Sequence, residues 1–466
     1  MGGWVTRELV RAEFGDQRLT ERLMRIVEDL SEHPEASIPQ ASGRGAKATY
    51  RFLDNPRVQA QRILEPHRQR TIERAADFPV VLVAQDTTEI NLTSHSAANG
   101  LGYLGAPGNR GLLLHSLVCL SPDGTPLGVL DQFSWVRPPE KVGQRKTRDQ
   151  RSVLEKESRK WLDGLAAVER HLSQQASVVL IGDRESDLYD LFAAPRAAQV
   201  ELLVRVRELR RCLAHPAHQL QAALAATPAA ARVTIELPRS DDRASRQAVL
   251  TLRWCSLTIR RPANYRGPCP GDDIPLSFLE AREEQPPAGC TPIRWVLATT
   301  LNIASLEDAL RILAYYQRRW LCERFHYVLK SGCHVERHQL REAPRIENLI
   351  ATLSIVAWHV LWMTHEARRE PVAPCTCVLN TDQWHVLHLA TQPRCPLPSQ
   401  PPTLREAIRA VAKLGGFLGR KGDGEPGVKT IWKGYRRLID LVAGYHLARA
   451  PTLPTLAPLI AREDYG

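Results

Sequence analysis

The hydrophobic pattern changes period several times along the chain, and each change marks a change of structure. Behind the start signal Phe14-Gly15-Asp16, the apolar positions Leu19, Leu23, Ile26, Val27 and Leu30 recur at helical spacing, and residues 1 to about 70 read as helices. Arg18, Arg22 and Arg25 follow at intervals of four and three, which gives them a stripe of their own beside the apolar one. From Phe78 the texture differs. Pro79 to Ala84 is an unbroken β-rich run of the kind buried on both faces of a sheet. Strand patterns follow at Leu112 to Leu120 and at Leu127 to Val136, parted by the turn residues Ser121-Pro122-Asp123-Gly124. A helical stretch from about Ser152 to Leu172 precedes a second buried run, Ser177 to Ile181, and a fifth strand, Glu201 to Val206. Helical pattern returns at Ser305, where Ser305-Leu306-Glu307-Asp308 is a capping box with Asp in place of Glu.

Three strands, a helix, a strand, a helix and a strand is the order of a ribonuclease-H-like core, an α/β fold with a mixed sheet flanked by helices. Between about 208 and 300, alternation at Val233, Ile235 and Leu237 and at Leu250, Leu252 and Trp254 predicts a mostly β insertion. The expected domains are a helical 1–70, a core of 71–370 carrying that insertion, a Pro-rich linker at 371–402 and a helical 403–466. A chain of 466 residues is long enough for two to four domains. The longest apolar run, Leu349 to Thr364, is interrupted by Thr352, Ser354 and His359. It falls short of a membrane span and reads as a helix buried in a large core.

Charge sharpens this picture. Lys plus Arg number 62 against 51 Asp plus Glu, a net +11, and such a surplus favours a polyanionic partner through counterion release. The segment Gly43 to Phe52 interleaves Arg44, Lys47 and Arg51 with Tyr50 and Phe52, a pattern that suits either nucleic-acid contact or a solvated helix face. The start Met1-Gly2-Gly3-Trp4 has no apolar core of signal-peptide type before Arg7-Glu8, so no membrane partner and a cytoplasmic, nucleoid-associated location are expected. The ten cysteines are scattered; only Cys375 and Cys377 lie close, so reduced thiols are expected rather than a zinc site or disulfide frame.

Two carboxylates stand where α/β sites form. Asp86 directly follows the first buried run and Asp183 directly follows another, and the C-terminal edge of neighbouring strands would bring them together. Hard divalent cations take oxygen ligands of this kind. A third element lies in the next helical segment, where Tyr316, Arg319, Glu323, His326 and Lys330 are spaced 3, 4, 3 and 4 apart and should share one stripe of an α-helix. The plainer alternative is an exposed face with an Arg319–Glu323 ion pair.

The spacing of Tyr316, Arg319, Glu323 and Lys330 resembles the signature of bacterial insertion-sequence DDE transposases of the IS-four family. Similar stretches are Val83-Ala84-Gln85-Asp86-Thr87-Thr88, Gly182-Asp183-Arg184-Glu185-Ser186-Asp187, Tyr50-Arg51-Phe52-Leu53-Asp54-Asn55-Pro56, Thr291-Pro292-Ile293-Arg294-Trp295 and Ala412-Lys413-Leu414-Gly415-Gly416-Phe417. The resemblance spans nearly the whole chain and is looser at 93–112, 137–150 and 370–400. It implies that Asp86, Asp183 and Glu323 are a catalytic triad holding two Mg2+ ions, with Mn2+ able to substitute. It implies that Tyr316, Arg319 and Lys330 grip phosphates of the transposon end, that Trp295 stacks a flipped base, and that His326 lies behind the ligands. Arg205 and Arg207 would contact the same end, and Arg18, Arg22, Lys47 and Arg51 would read it. The implied activity is cut-and-paste transposition: transposon ends are cut through a hairpin intermediate and joined to target DNA by a homodimer in a synaptic complex, the C-terminal helices dimerising. A ribonuclease-H-like nuclease without strand transfer and a transposase-derived DNA-binding repressor are the rival readings; a repressor needs a broken triad, and here all three carboxylates are present.

Overall fold

A computed structural model describes residues 3–33, 36–138, 151–175, 177–207, 219–237, 246–262, 265, 267, 273–420 and 423–449. The expectations for Cys212, Cys269 and the stretch 450–466 lie outside these residues, as do parts of the β insertion. The chain divides into two compact units, one of residues 1–57, 331–334 and 356–466 and one of 58–330 and 335–355.

The second unit is built on a ten-stranded sheet. Its strands are β1 (Val81–Asn91), β2 (Gly102–Tyr103), β3 (Arg110–Leu120), β4 (Pro126–Trp135), β5 (Val178–Gly182), β6 (Val200–Arg205), β7 (Ala231–Leu237), β8 (Arg246–Ile259), β9 (Ile274–Glu283) and β10 (Arg294–Thr299). The order β4-β3-β1-β5-β6, with β3 antiparallel to both neighbours and β1, β5 and β6 parallel, is the ribonuclease-H-like arrangement. Val81, Leu82, Val83 and Ala84 are wholly buried because β1 lies between β3 and β5 with protein on both faces. The expected insertion is not a layer apart. Strand β10 pairs antiparallel with β6, and β9, β8 and β7 continue outward, so one sheet runs through core and insertion. The pairing covers the free edge that β6 would otherwise present.

The first unit is helical: α1 (Trp4–Leu9), α2 (Gln17–Glu32), α3 (Ile38–Ser42) and α4 (Ala46–Leu53) come from its N-terminal part. Asp16 caps α2 by accepting from the Arg18 N–H at 3.0 Å, and Leu23, Ile26, Val27 and Leu30 are buried as the periodicity predicts. Phe52 turns inward against Phe14 at 5.7 Å, edge to face, so the basic segment keeps Lys47 and Arg51 outside and its aromatics mostly within.

The next helix, α5 (Ala60–Ala75), belongs to the second unit, which moves the expected boundary at 70 back toward Arg57. Arg68 explains the placement: it donates to the Leu130 carbonyl at 2.8 Å and pairs with Asp131 of β4 at 2.8 Å. Then come α6 (Arg159–His171), α7 (Tyr189–Ala193), α8 (Leu220–Ala226), α9 (Leu306–Arg318), α10 (Trp320–Tyr327) and α11 (Ala343–Arg369). Helix α11 is long and apolar enough to cross a membrane, with mean hydropathy 1.4 over 18 residues, but 89% of that window is buried inside the protein. It is a core helix, as its interrupted apolar run predicts. The expected linker at 371–402 instead holds α12 (Thr381–Thr391), started by a reciprocal Asn380–Gln383 capping box and seated by buried Trp384, Val386 and Leu387. Prolines on either side masked a two-signal helix. Helices α13 (Leu404–Leu414), capped by Thr403 and Glu406, and α14 (Val428–Arg449) complete the first unit.

The Arg68–Asp131 pair is 7% and 4% exposed. Arg68→Met should cost about 3–5 kcal/mol by taking the guanidinium from a buried carboxylate that keeps only His171 and the Gln132 N–H, whereas Arg68→Met with Asp131→Leu should recover most of the loss. Denaturant melts of both variants test this; a double variant no better than the single would show that the orphaned charge is not the cause.

Candidate active site

Parallel pairing sets the first two carboxylates level. The last pair between β1 and β5 is Ala84 with Ile181, and Asp86 and Asp183 each stand two residues further on. Asp183 follows the end of β5, as expected. Asp86 does not follow the end of its strand: β1 runs on to Asn91 because β3 keeps pairing with it, Asp86 opposite Ser116. Alternation then sorts the faces. Thr87 bonds His115 at 2.9 Å, and Gln85 approaches α6, where a Cβ on Gly164 would meet its Oε1 at 2.3 Å. Asp86 faces the other way, toward α10. Asp183 caps the short turn after β5, its Oδ1 accepting from the Glu185 N–H at 2.8 Å. That turn closes because position 182 is glycine: a Cβ there would lie 2.2 Å from Ser186 Oγ, which itself donates to the Asp183 carbonyl at 2.7 Å.

The third carboxylate arrives on a helix that breaks. Residues 316–330 do not form one continuous α-helix: α9 ends at Arg318, α10 begins at Trp320, and Val328–Gly332 is a π-turn. Arg319 sits at the break. Its guanidinium pairs with Glu323 one turn along and reaches Asp86 Oδ2 at 3.5 Å, with only 13% of the side chain exposed. It also lies 5.9 Å from the centre of the buried Tyr316 ring, and Tyr316 packs edge-on to Trp295 at 5.9 Å. Trp295, near the start of β10, is half-buried rather than a core residue. Arg205 ends β6 and donates to the Arg294 carbonyl at 3.1 Å; burial holds its guanidinium below the usual range against the pull of Tyr316. Tyr316, Arg319, Glu323, Trp295 and Arg205 thus gather beside Asp86 and Asp183.

Lys330 leaves the expected stripe, while His326 stays on α10 three residues after Glu323. His326 is buried, its Nε2 bonded to Ser116 Oγ at 3.0 Å, and Gln132 donates to the same oxygen at 3.0 Å. Burial lowers the imidazole to about 3, with Lys330 pushing the same way, so it is neutral at physiological pH. Lys330 lies on the π-turn, which rotates it away from the α-helical stripe. Its Nζ donates to the Glu89 carbonyl at 2.9 Å and pairs at 3.2 Å with Glu336, whose carboxylate also holds the Asn91 N–H at 2.8 Å. Ser116, Gln132 and Glu336 carry no sequence signal, because only β3, β4 and the chain after α10 bring them here. Arg207 is also elsewhere. Its N–H donates to Asp187 at 2.9 Å, and it lines a separate cleft of about 940 Å³ with Trp135, Lys160 and Glu185. Arg18, Lys47 and Arg51 are exposed and Arg22 half-buried in the helical unit, Arg18 paired with Asp16.

Electrostatics bind the cluster together. The Asp86 carboxyl is raised to about 6, chiefly by burial and in smaller part by the charges of Asp183 and Glu323, while Arg319 and the Thr87 N–H oppose the rise. Among the described residues no three His, Cys, Asp or Glu side chains enclose a metal by themselves. The donor set nevertheless suits a hard cation in an open site: the oxygens are carboxylate, and a cationic group already stands between Asp86 and Glu323.

Comparisons with known proteins agree with this layout. Residues 1–58 match the family model described as Transposase DNA-binding, 144–358 that described as Transposase DDE domain, and 355–453 that described as Transposase Tn5 dimerisation domain. The chain is a DDE transposase, an enzyme of a class that uses divalent metal ions, with DNA as its partner and a dimerisation domain at its C-terminal end. Within that class it resembles the transposase of Tn5. Asp183, Trp295 and Glu323 fall inside the matched DDE stretch; Asp86 falls before it, and its place rests on strand register. Among solved structures, the cryo-EM piggyBac transposase synaptic complex with hairpin DNA aligns at 11% identity over 100% of this chain and 80% of that one, with a TM-score of 0.32, too low to equate the folds.

The raised Asp86 has a consequence for stability. Between 3.8 and about 6 the folded protein keeps a proton that the unfolded chain has lost, so stability falls as pH rises through this window. Ionised Asp86 therefore costs roughly 3 kcal/mol at neutral pH. With chelator present, Asp86→Asn should melt at a higher temperature than wild type at pH 7.5 and show no advantage below pH 3.8. Equal melting at both pH values would mean that Asp86 is not strained by burial.

Proposed function

We propose that this chain is a cut-and-paste transposase in which Asp86, Asp183 and Glu323 hold two divalent ions, Mg2+ or Mn2+. The observation that carries this is the placement of Asp86 and Asp183 level on neighbouring parallel strands, with Glu323 joined to Asp86 through Arg319. Such ions polarise the scissile phosphate and lower the pKa of the attacking hydroxyl. The chain's own part is to fix these carboxylates, grip the DNA and bend it. Arg319, whose planar fork matches a phosphate, and Tyr316 beside it take the backbone next to the cut. Lys330 joins them by giving up Glu336.

In the proposed sequence, water first cleaves one strand at the transposon end. The new 3′-hydroxyl attacks the opposite strand to close a hairpin, water reopens it, and the freed 3′-hydroxyls join target DNA. Each step is an in-line phosphoryl transfer and uses the same carboxylates. Trp295, half-buried on β10 and backed by Tyr316, offers its ring to the base that a hairpin pushes out of the stack. Arg205 lies beside that ring, while Arg207, in its separate cleft, meets the DNA further along. Helices α1 to α4 read the end sequence through Arg18, Arg22, Lys47 and Arg51. The C-terminal helices pair two protomers into a synaptic complex, so that cleavage waits for both ends. The site of action is the nucleoid, in the cytoplasm.

Asp86→Ala, Asp183→Ala and Glu323→Ala should each abolish cleavage of DNA carrying the inverted repeats that flank the gene, while gel shifts show end binding largely intact. Full activity in any one variant removes that residue from the triad.

Trp295→Ala tests the hairpin. Base–aromatic stacking is worth roughly 1–3 kcal/mol, so hairpin formation should slow about 5- to 150-fold while first-strand nicking continues, and nicked DNA should accumulate. Normal hairpin yield in a well-folded variant would take Trp295 out of the site.

A further inference from the structure

Two of the proposed metal ligands are already bridged by a cation of the chain itself. Arg319 pairs with Glu323 and stands 3.5 Å from Asp86, and the three side chains are 13%, 30% and 17% exposed. Carboxylates this close and this sheltered repel each other unless a positive charge lies between them. The guanidinium is held in place on its other side by the Tyr316 ring, itself packed on Trp295. It comes from the junction between α9 and α10, where the run of helix is interrupted for one residue although the backbone keeps right-handed helical angles, so the guanidinium moves by side-chain rotation alone. The residue that spans the ligands is also the one whose fork suits a phosphate.

We infer that Arg319 is an internal stand-in for the metal, holding Asp86 and Glu323 together in the DNA-free chain and giving them up when a divalent cation enters. This rests on the reading of Asp86 and Glu323 as metal ligands. A cation at those oxygens repels the guanidinium and takes its acceptors, and the displaced fork is then free for a DNA phosphate. Metal entry and phosphate capture become one exchange: each removes a reason for Arg319 to stay where it is. A chain that has met neither keeps the site closed by its own counterion, and a chain that has met only the metal still has Arg319 competing for the carboxylates, which restrains cutting before the DNA is in place.

Mn2+ binding to the DNA-free full chain, measured at pH 8 by calorimetry and by the electron-spin signal of free Mn2+, tests the exchange without any reaction. Arg319→Gln should bind Mn2+ at least about tenfold more tightly than wild type, since buried carboxylates left unpaired gain most from a new cation. Arg319→Lys, a point charge able to pair with one carboxylate at a time, should fall between them. Melting curves establish that the variants are folded, and Arg319→Lys decides the matter if Arg319→Gln is not. Affinity unchanged or weakened in the folded variants, with Asp86→Asn still abolishing Mn2+ binding, overturns the stand-in role and leaves the ligand assignment standing. Mn2+ binding that survives Asp86→Asn in the otherwise wild-type chain overturns the ligand assignment itself, and the stand-in role with it.

Discussion

Like charges in a half-buried cleft are the constraint around which this fold is arranged. Asp86 is hard to ionise because it is sheltered inside a central strand and faces the charges of Asp183 and Glu323. Strand pairing fixes two of the three, so they cannot drift apart to relieve the repulsion. The relief comes from Arg319, placed at a helix junction rather than on the sheet. Carboxylates held this close draw cations to them.

Everything nearby holds that arrangement. On one face of β1, α6 is brought close enough by Gly164 to touch Gln85, and Trp161 meets the edge of His115 at 4.9 Å. On the other, neutral His326 and Gln132 both hold Ser116, which docks the helix carrying Glu323 against the strand facing Asp86. Lys330 and Glu336 pin the far end of β1. The hydrogen bonds of His326 and Gln132 to Ser116 are buried, so losing one leaves a partner unsatisfied.

The insertion has a second role that its strand pattern does not announce. Because β10 pairs with β6, with Leu297 opposite Arg205, the extension of the sheet carries Trp295 to the mouth of the cleft.

Much of this was legible from the residues. Buried runs at 79–84 and 177–181, the capping signals at Asp16 and Ser305 and the strand–helix order led to the ribonuclease-H-like core, since period and capping are local properties. The common face of Tyr316, Arg319 and Glu323 was also legible, because three- and four-residue spacings survive a one-residue break in the helix. What the sequence could not decide was which neighbour each element would choose. That β1 continues past Asp86, that β10 extends β6, that α5 belongs with the sheet, and that Lys330 and His326 turn toward β1 and β3 are all outcomes of pairing between distant segments. Local pattern fixes an element's type and buried face. Partner, register and the angle at a π-turn are set only when residues hundreds of positions apart compete for the same hydrogen bonds and the same interior space.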